Sequence, residues 1–212
     1  MYRTIAVCCV AVLCFSFPAV ALSQDAEPAQ VLILTVDGKD YTLEENQQRT
    51  IPGKFENATF SFRSAGYRVF RYAGLLFRYP VGFEFDAEHS GDDKTWDLIG
   101  DDADLSVLFL NGNPANYLRA SIDELLPVTD FPNQNVRLKS GKLKLQGVEC
   151  DTYEYAIKWD KESSSHTLAV SLPARDGKSR VLMFGREYEN GKLKQECEQL
   201  EKMVLDSLKL DD

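Results

Sequence analysis

The chain turns from strand-like to helix-like periodicity only twice, with strand-like sequence on both sides of the first turn. From Val31 to Leu110, apolar residues recur in alternation or in short runs. Asn113 then offers an N-capping side chain and Pro114 suits a first helical position. Tyr117, Leu118, Ile122, Leu125 and Leu126 follow at helical spacing until Pro127. Strand-like runs return and last to Phe184. Asn190 is the expected cap of a second helix, with Leu193, Cys197, Leu200, Val204 and Leu208 along one face. A parallel sheet needs a crossover, usually a helix, between successive strands. This order excludes that alternation. The expected class is α+β: a mainly antiparallel sheet with an internal helix and a C-terminal amphipathic helix packed on it.

The strand candidates are short and well punctuated. Val31–Val36 leads to Asp37-Gly38, a hairpin signal, and returns through Asp40–Leu43. Ala58–Arg63 and Tyr67–Tyr72 follow. In "GLLFRYPVGFEFD", residues 74 to 86, Pro80 separates the runs Leu75–Tyr79 and Val81–Phe85. Proline cannot donate to a ladder, so it belongs at a strand end or an edge. Trp96–Ile99 and Leu105–Leu110 flank an Asp-rich turn. Past the first helix the candidates are Val136–Leu138, Lys142–Leu145, Val148–Trp159, His166–Leu172 and Arg180–Phe184.

The first residues read as a targeting signal. Arg3 precedes an apolar run from Ile5 to Val20, and Ala21-Leu22-Ser23 supplies small residues for cleavage after Ser23, with Ala21 the alternative. The run is short for a bilayer span, which leaves a membrane anchor as the lesser alternative. The expectation is an exported protein, periplasmic or extracellular, with no stable membrane span once the signal is removed. Residues 1–23 are then signal, 24–30 linker, 31–65 a strand and hairpin extension, and 66–212 the main domain. The formal net charge of −9 opposes phosphate backbones, so no nucleic acid is expected as a partner.

"LLFRYPVGFEF", then "TWDLIGDDADLSVLFLN", a helix, "LQGVECDTYEYAIK", further strands and an amphipathic C-terminal helix together resemble the PsbP-like fold. The resemblance covers about residues 66–210 and rests on Tyr79-Pro80-Val81-Gly82-Phe83 and on Gly147 followed by Cys150. It implies a Pro-Gly turn joining two core strands, with aromatics facing helices packed on the sheet. Members include a photosystem extrinsic subunit, a regulator of a nuclear-transport GTPase and bacterial envelope proteins. Most bind other proteins rather than catalyse. The resemblance therefore implies a non-enzymatic interaction or assembly factor with a protein partner and no cofactor. The alternative is an envelope protein that binds a small ligand or calcium.

Candidate chemistry is sparse. Cys150 and Cys197 are the cysteines left after the signal, and an exported chain with an even number is usually oxidised. A disulfide joins them if the last helix covers the Cys150 strand; two buried free thiols are the alternative. Tyr153, Tyr155 and Ile157 point opposite to Cys150 in an unbroken strand. Asp101, Asp102 and Asp104 form a weak calcium candidate, although turns are rich in Asp anyway. His89, beside Glu88, Asp92 and Asp93, reads as part of a solvated loop. His166 adjoins Ser163, Ser164 and Ser165, which is not triad geometry. No catalytic constellation is recognisable. Arg63, Tyr67, Arg68, Arg71 and Arg78 interleave cations with aromatics, as interfaces do, and form the expected interaction surface. A solvated sheet face is its alternative.

Overall fold

A computed structural model of the chain describes residues 25–53, 57–159, 163–189 and 191–211. The expected signal segment and Asn190 lie outside the described residues. The strands are β1 (Gln30–Val36), β2 (Lys39–Glu44), β3 (Phe60–Tyr72), β4 (Leu75–Pro80), β5 (Glu84–Ser90), β6 (Asp93–Ile99) and β7 (Ala103–Leu110). Helix α1 (Pro114–Leu125) runs into a 3-10 turn, Leu126–Val128. Then come β8 (Lys139–Leu145), β9 (Val148–Lys158), β10 (Ser163–Arg175), β11 (Lys178–Glu189), β12 (Lys192–Leu193), α2 (Gln195–Ser207) and β13 (Lys209–Leu210).

Mainly antiparallel sheet with one internal and one C-terminal helix is what forms, but in two sheets rather than one. The first is ordered β13-β4-β3-β1-β2, and the second β5-β6-β7-β11-β10-β9-β8, with β12 appended to β11. Every pairing is antiparallel. The hairpin turns are the ones the sequence marks. Asp37-Gly38 and Asp176-Gly177 both have positive φ at each residue, the geometry that matches the right-handed twist of the flanking strands.

The Pro-Gly stretch is where the chain changes sheets. β4 ends at Pro80 in the first sheet, the chain turns through Val81 and Gly82, and β5 starts at Glu84 in the second. Gly82 sits at φ +99°, which only glycine adopts without strain. The expected strand Val81–Phe85 therefore starts later, because its first residues make the corner. Phe83 in that corner is buried and lies against Gly100, where a Cβ would come within 2.7 Å of the ring.

The second sheet is covered on both faces over part of its area. One core lies between the sheets: Phe70, Phe77 and Tyr79 meet Trp96, Leu105, Val107, Val170, Leu182 and Phe184, with Cys197, Leu200 and Val204 of α2 closing the side. Phe70 stacks on Phe77 at 4.6 Å between ring centres, and Trp96 meets Phe70 edge-on at 5.8 Å. On the opposite face, Leu118 and Ile122 of α1 pack on Leu108, Tyr155, Ile157, Ala169 and Val181. β9 thus sends Cys150 into one core and Tyr155 and Ile157 into the other.

Arg180 ties the sheets together from a buried position. Its Nε donates to the Pro173 carbonyl at 2.7 Å, and its Nη1 to those of Gly74 at 3.1 Å and Ala73 at 3.4 Å. Donors of a buried guanidinium are thereby used on carbonyls of β10 and of the β3–β4 turn.

Two local expectations fail for identifiable reasons. Val136–Leu138 is loop: Val136 and Leu138 pack on the second core without a ladder, and β8 starts only at Lys139. The last helix starts at Gln195, because Leu193 is taken up by the β11–β12 hairpin opposite Tyr188. Residues 25–28 are held by side chains of β3, β5 and β6, and β3 runs unbroken through residue 65.

Candidate functional site

Beyond the end of α2, the inter-sheet face of the second sheet continues uncovered. Cross-strand register brings Ala156, His166 and Arg186 side by side on β9, β10 and β11, with Glu154 one step along the same face. Tyr188 stacks a tilted ring on His166 at 4.3 Å. The loop before β8 brings Arg137, and β8 itself brings Lys139, opposite Glu154. Of these residues, Arg137, Lys139, Glu154, Ala156, His166 and Tyr188 line a groove of about 480 Å³, with Arg186 next to it on β11.

Charge is unevenly used there. Arg186 holds Glu201 of α2 through two hydrogen bonds, 2.8 and 2.7 Å, and lies 3.4 Å from Glu154. Those carboxylates are thereby matched. Arg137 and Lys139 have no ion-pair partner among the described residues. Burial holds the His166 imidazole below its ordinary pKa; Arg186 and Lys139 push it the same way, against Glu154. At neutral pH the groove offers a neutral imidazole, a phenol and two unmatched cations, on a chain whose net charge is −9.

The expected surface residues divide. Arg63 pairs with Asp40 at 2.7 Å, and Arg71 with Glu44. Arg78 lies over the Tyr67 ring at 4.6 Å, on the outer face of the first sheet. Arg68 is on the other face: beside Tyr79 in register, it turns inward and holds Glu27 at 3.2 Å and the Pro28 carbonyl at 2.6 Å. Its charge serves the fold's interior.

Cys150 and Cys197 are both buried and both free, so the expected disulfide is not made. Cys197 lies in the first turn of α2, where its thiol donates to the Asp102 carbonyl at 3.0 Å and accepts from the Glu187 amide at 3.3 Å. Cys150 lies opposite Leu143, while the neighbour of Glu187, Arg186, is in register with Ala156 through His166. At ~3.3 Å per residue along a strand, that separates the two by roughly 20 Å. A disulfide needs Cα atoms less than about 7 Å apart. The helix does cover this face, but with its far end over Cys150.

The Asp turn does not converge on a cation. Asp102 accepts from Lys194 at 2.5 Å, and Asp101 is exposed. Asp104 is exposed as a residue, yet its carboxylate folds down over Gly185, where a Cβ would collide with it. Burial of that carboxylate, with Asp97 and Glu187 nearby, raises its pKa. Among the described residues no group of three His, Cys, Asp or Glu side chains is placed to hold a metal. His89 is not in a loop but in β5, 3.1 Å from Asp25.

Sequence reasoning missed the groove, because its members are scattered from residue 135 to 188. The expected strand Arg180–Phe184 stops short of Tyr188, which the longer β11 carries to His166. Among the described residues no helix is long and apolar enough to cross a membrane.

No protein-family profile matches the chain, and no curated protein matches it. One solved structure similar in part is that of LpqN, involved in cell envelope biogenesis of Mycobacterium tuberculosis. It matches at 13% identity over 65% of this chain and 83% of that one, with a TM-score of 0.33, too low to bear on fold or function.

Proposed function

We propose that this is an exported, non-enzymatic binding protein that takes a small anionic ligand, a carboxylate or phosphate, in the groove of His166 and Tyr188. The observation that carries this reading is the pair of cations unmatched among the described residues, Arg137 and Lys139, beside a neutral, half-buried imidazole on an acidic protein. Concave sites with a few convergent polar groups are where small ligands bind. The resemblance to PsbP-like chains, whose members mostly bind rather than catalyse, is in keeping with such a role.

An anion adds a charge that favours the protonated imidazole. Binding should therefore strengthen as pH falls through the ordinary histidine range. Thermal unfolding with added citrate or inorganic phosphate tests this. The expected result is a ligand-dependent rise in Tm, larger at about pH 5.5 than at about pH 7.5. Arg137→Ala with Lys139→Ala should abolish the rise, and His166→Asn should remove its pH dependence. No rise at either pH, or a rise that survives the double variant, would refute the groove as the site.

A second reading keeps a protein partner on the first sheet. The β1–β3 arm contributes no residue from 30 to 69 to either main core, and Phe62 on it is 67% exposed. Phe62→Ser should then weaken partner capture without lowering Tm.

A further inference from the structure

Residues 25–29 belong to no strand, and among the described residues they make no backbone–backbone hydrogen bond outside strand ladders. The segment is seated by side chains that reach it from the body of the fold. Trp96 donates its indole N–H to the Asp25 carboxylate at 2.8 Å, and His89 Nε2 lies 3.1 Å from the same oxygen. The Tyr72 hydroxyl donates to the Ala26 carbonyl. Arg68 meets the Glu27 carboxylate at 3.2 Å and donates to the Pro28 carbonyl at 2.6 Å. Pro28 is buried while Ala26 and Glu27 face solvent.

Two properties of this cleft go beyond packing. First, the donors sit on the fold and the acceptors on the segment, which is the pattern of a peptide held in a binding site. The cleft is also built independently of its occupant: Tyr72 stacks on Trp96 at 5.5 Å and on Phe85 at 6.0 Å. Second, the segment leaves donors unused. Arg68 Nε and the Tyr79 hydroxyl are buried without a hydrogen-bond partner. Buried polar groups normally have one. The segment fills the cleft but does not satisfy it.

We infer that the cleft between the sheets is a recognition site for an extended acidic peptide of a partner protein, and that Asp25–Pro28 is a built-in competitor for it. The ligand class follows from the lining: carboxylates for Arg68 and Trp96, an extended backbone whose carbonyls face Tyr72 and Arg68, and a further acceptor for Tyr79. This site is separate from the His166 groove, and neither reading rests on the other.

A competitor tethered beside its site lowers apparent affinity by the fraction of time the site is open. The test uses the full chain with Trp159→Phe, leaving Trp96 as the fluorescent reporter, with and without Asp25→Asn plus Glu27→Gln. The probe is a synthetic peptide copying residues 24–30, QDAEPAQ. The loosened chain should bind it at least about tenfold more tightly than the parent, with a change in Trp96 emission. A peptide with Asn and Gln in place of its acids should not bind. Equal binding by both chains, binding of the neutral peptide, or no binding to a folded loosened chain would overturn the inference. Should the double variant fail to fold, Glu27→Gln alone alters a side chain that is 47% exposed. It should show the same preference in smaller measure, and its absence would count equally against the site.

Discussion

At the scale of single residues, the free cysteines show how position overrides composition. An even pair in an exported chain suggests a bridge, yet each thiol has its own surroundings. Burial raises the pKa of Cys150 and of Cys197, with Asp151 adding to it at the first and Glu187 and Asp104 at the second. A raised pKa withholds the thiolate, the reactive form. Both thiols should therefore resist an aromatic disulfide reagent in the folded protein and react together once it unfolds. Thiol titration with and without denaturant measures this, and a reductant should leave Tm unchanged. His166 acts through the same physics with the opposite charge type. Because its folded pKa lies below the unfolded value near 6.5, the unfolded chain takes up protons first as pH falls. Its contribution is unchanged above that value, turns destabilising as pH falls below it, and levels off once pH is below the folded pKa.

At the scale of elements, α1 was the most legible part of the chain. Asn113 caps it as expected, its Oδ1 accepting from the Ala115 amide at 2.8 Å, with Pro114 at the first position. Asn113→Ala should cost about 1 kcal/mol and lower Tm by a few degrees, roughly 2 to 4 for a chain of this size. Calorimetry would show it. Helix α2 was legible in its apolar stripe but not at its start, since Leu193 continues the stripe while pairing with Tyr188. Helical spacing cannot distinguish those two uses of one leucine. The hairpins at Asp37-Gly38 and Asp176-Gly177 were readable because their turn chemistry is local. The segment 25–28 was not, because polar small residues look like linker whether or not a cleft receives them.

At the scale of the molecule, periodicity told which residues are apolar but not which sheet they join. A run of alternating strands is compatible with one sheet or two, and the choice is made at Val81-Gly82. The core that results depends on contacts distant in sequence: Phe70 and Phe77 of the first sheet against Trp96, Phe184 and α2. Phe77 is fully buried at its centre. Phe77→Ala should destabilise by about 3 to 5 kcal/mol. Far-ultraviolet and near-ultraviolet signals should then be lost together, in one transition shifted to lower temperature. Two separate transitions would mean that the sheets unfold independently. The candidate groove was illegible for the same reason as the second sheet, since cross-strand register between β9, β10 and β11 brings its residues together.

The last strand has a consequence for the order of events in the cell. β13 pairs with β4 through Lys209 opposite Leu76 and Leu210 opposite Leu75, and the Asp211 amide reaches the Gly74 carbonyl at 2.9 Å. Together with α2, it makes the closing contacts of the first sheet depend on residues far along the chain from β4. A nascent chain still missing its last residues cannot complete that sheet, and such distant pairings form slowly. Until residues 209–211 have been made, the outer edge of β4 has no strand to pair with.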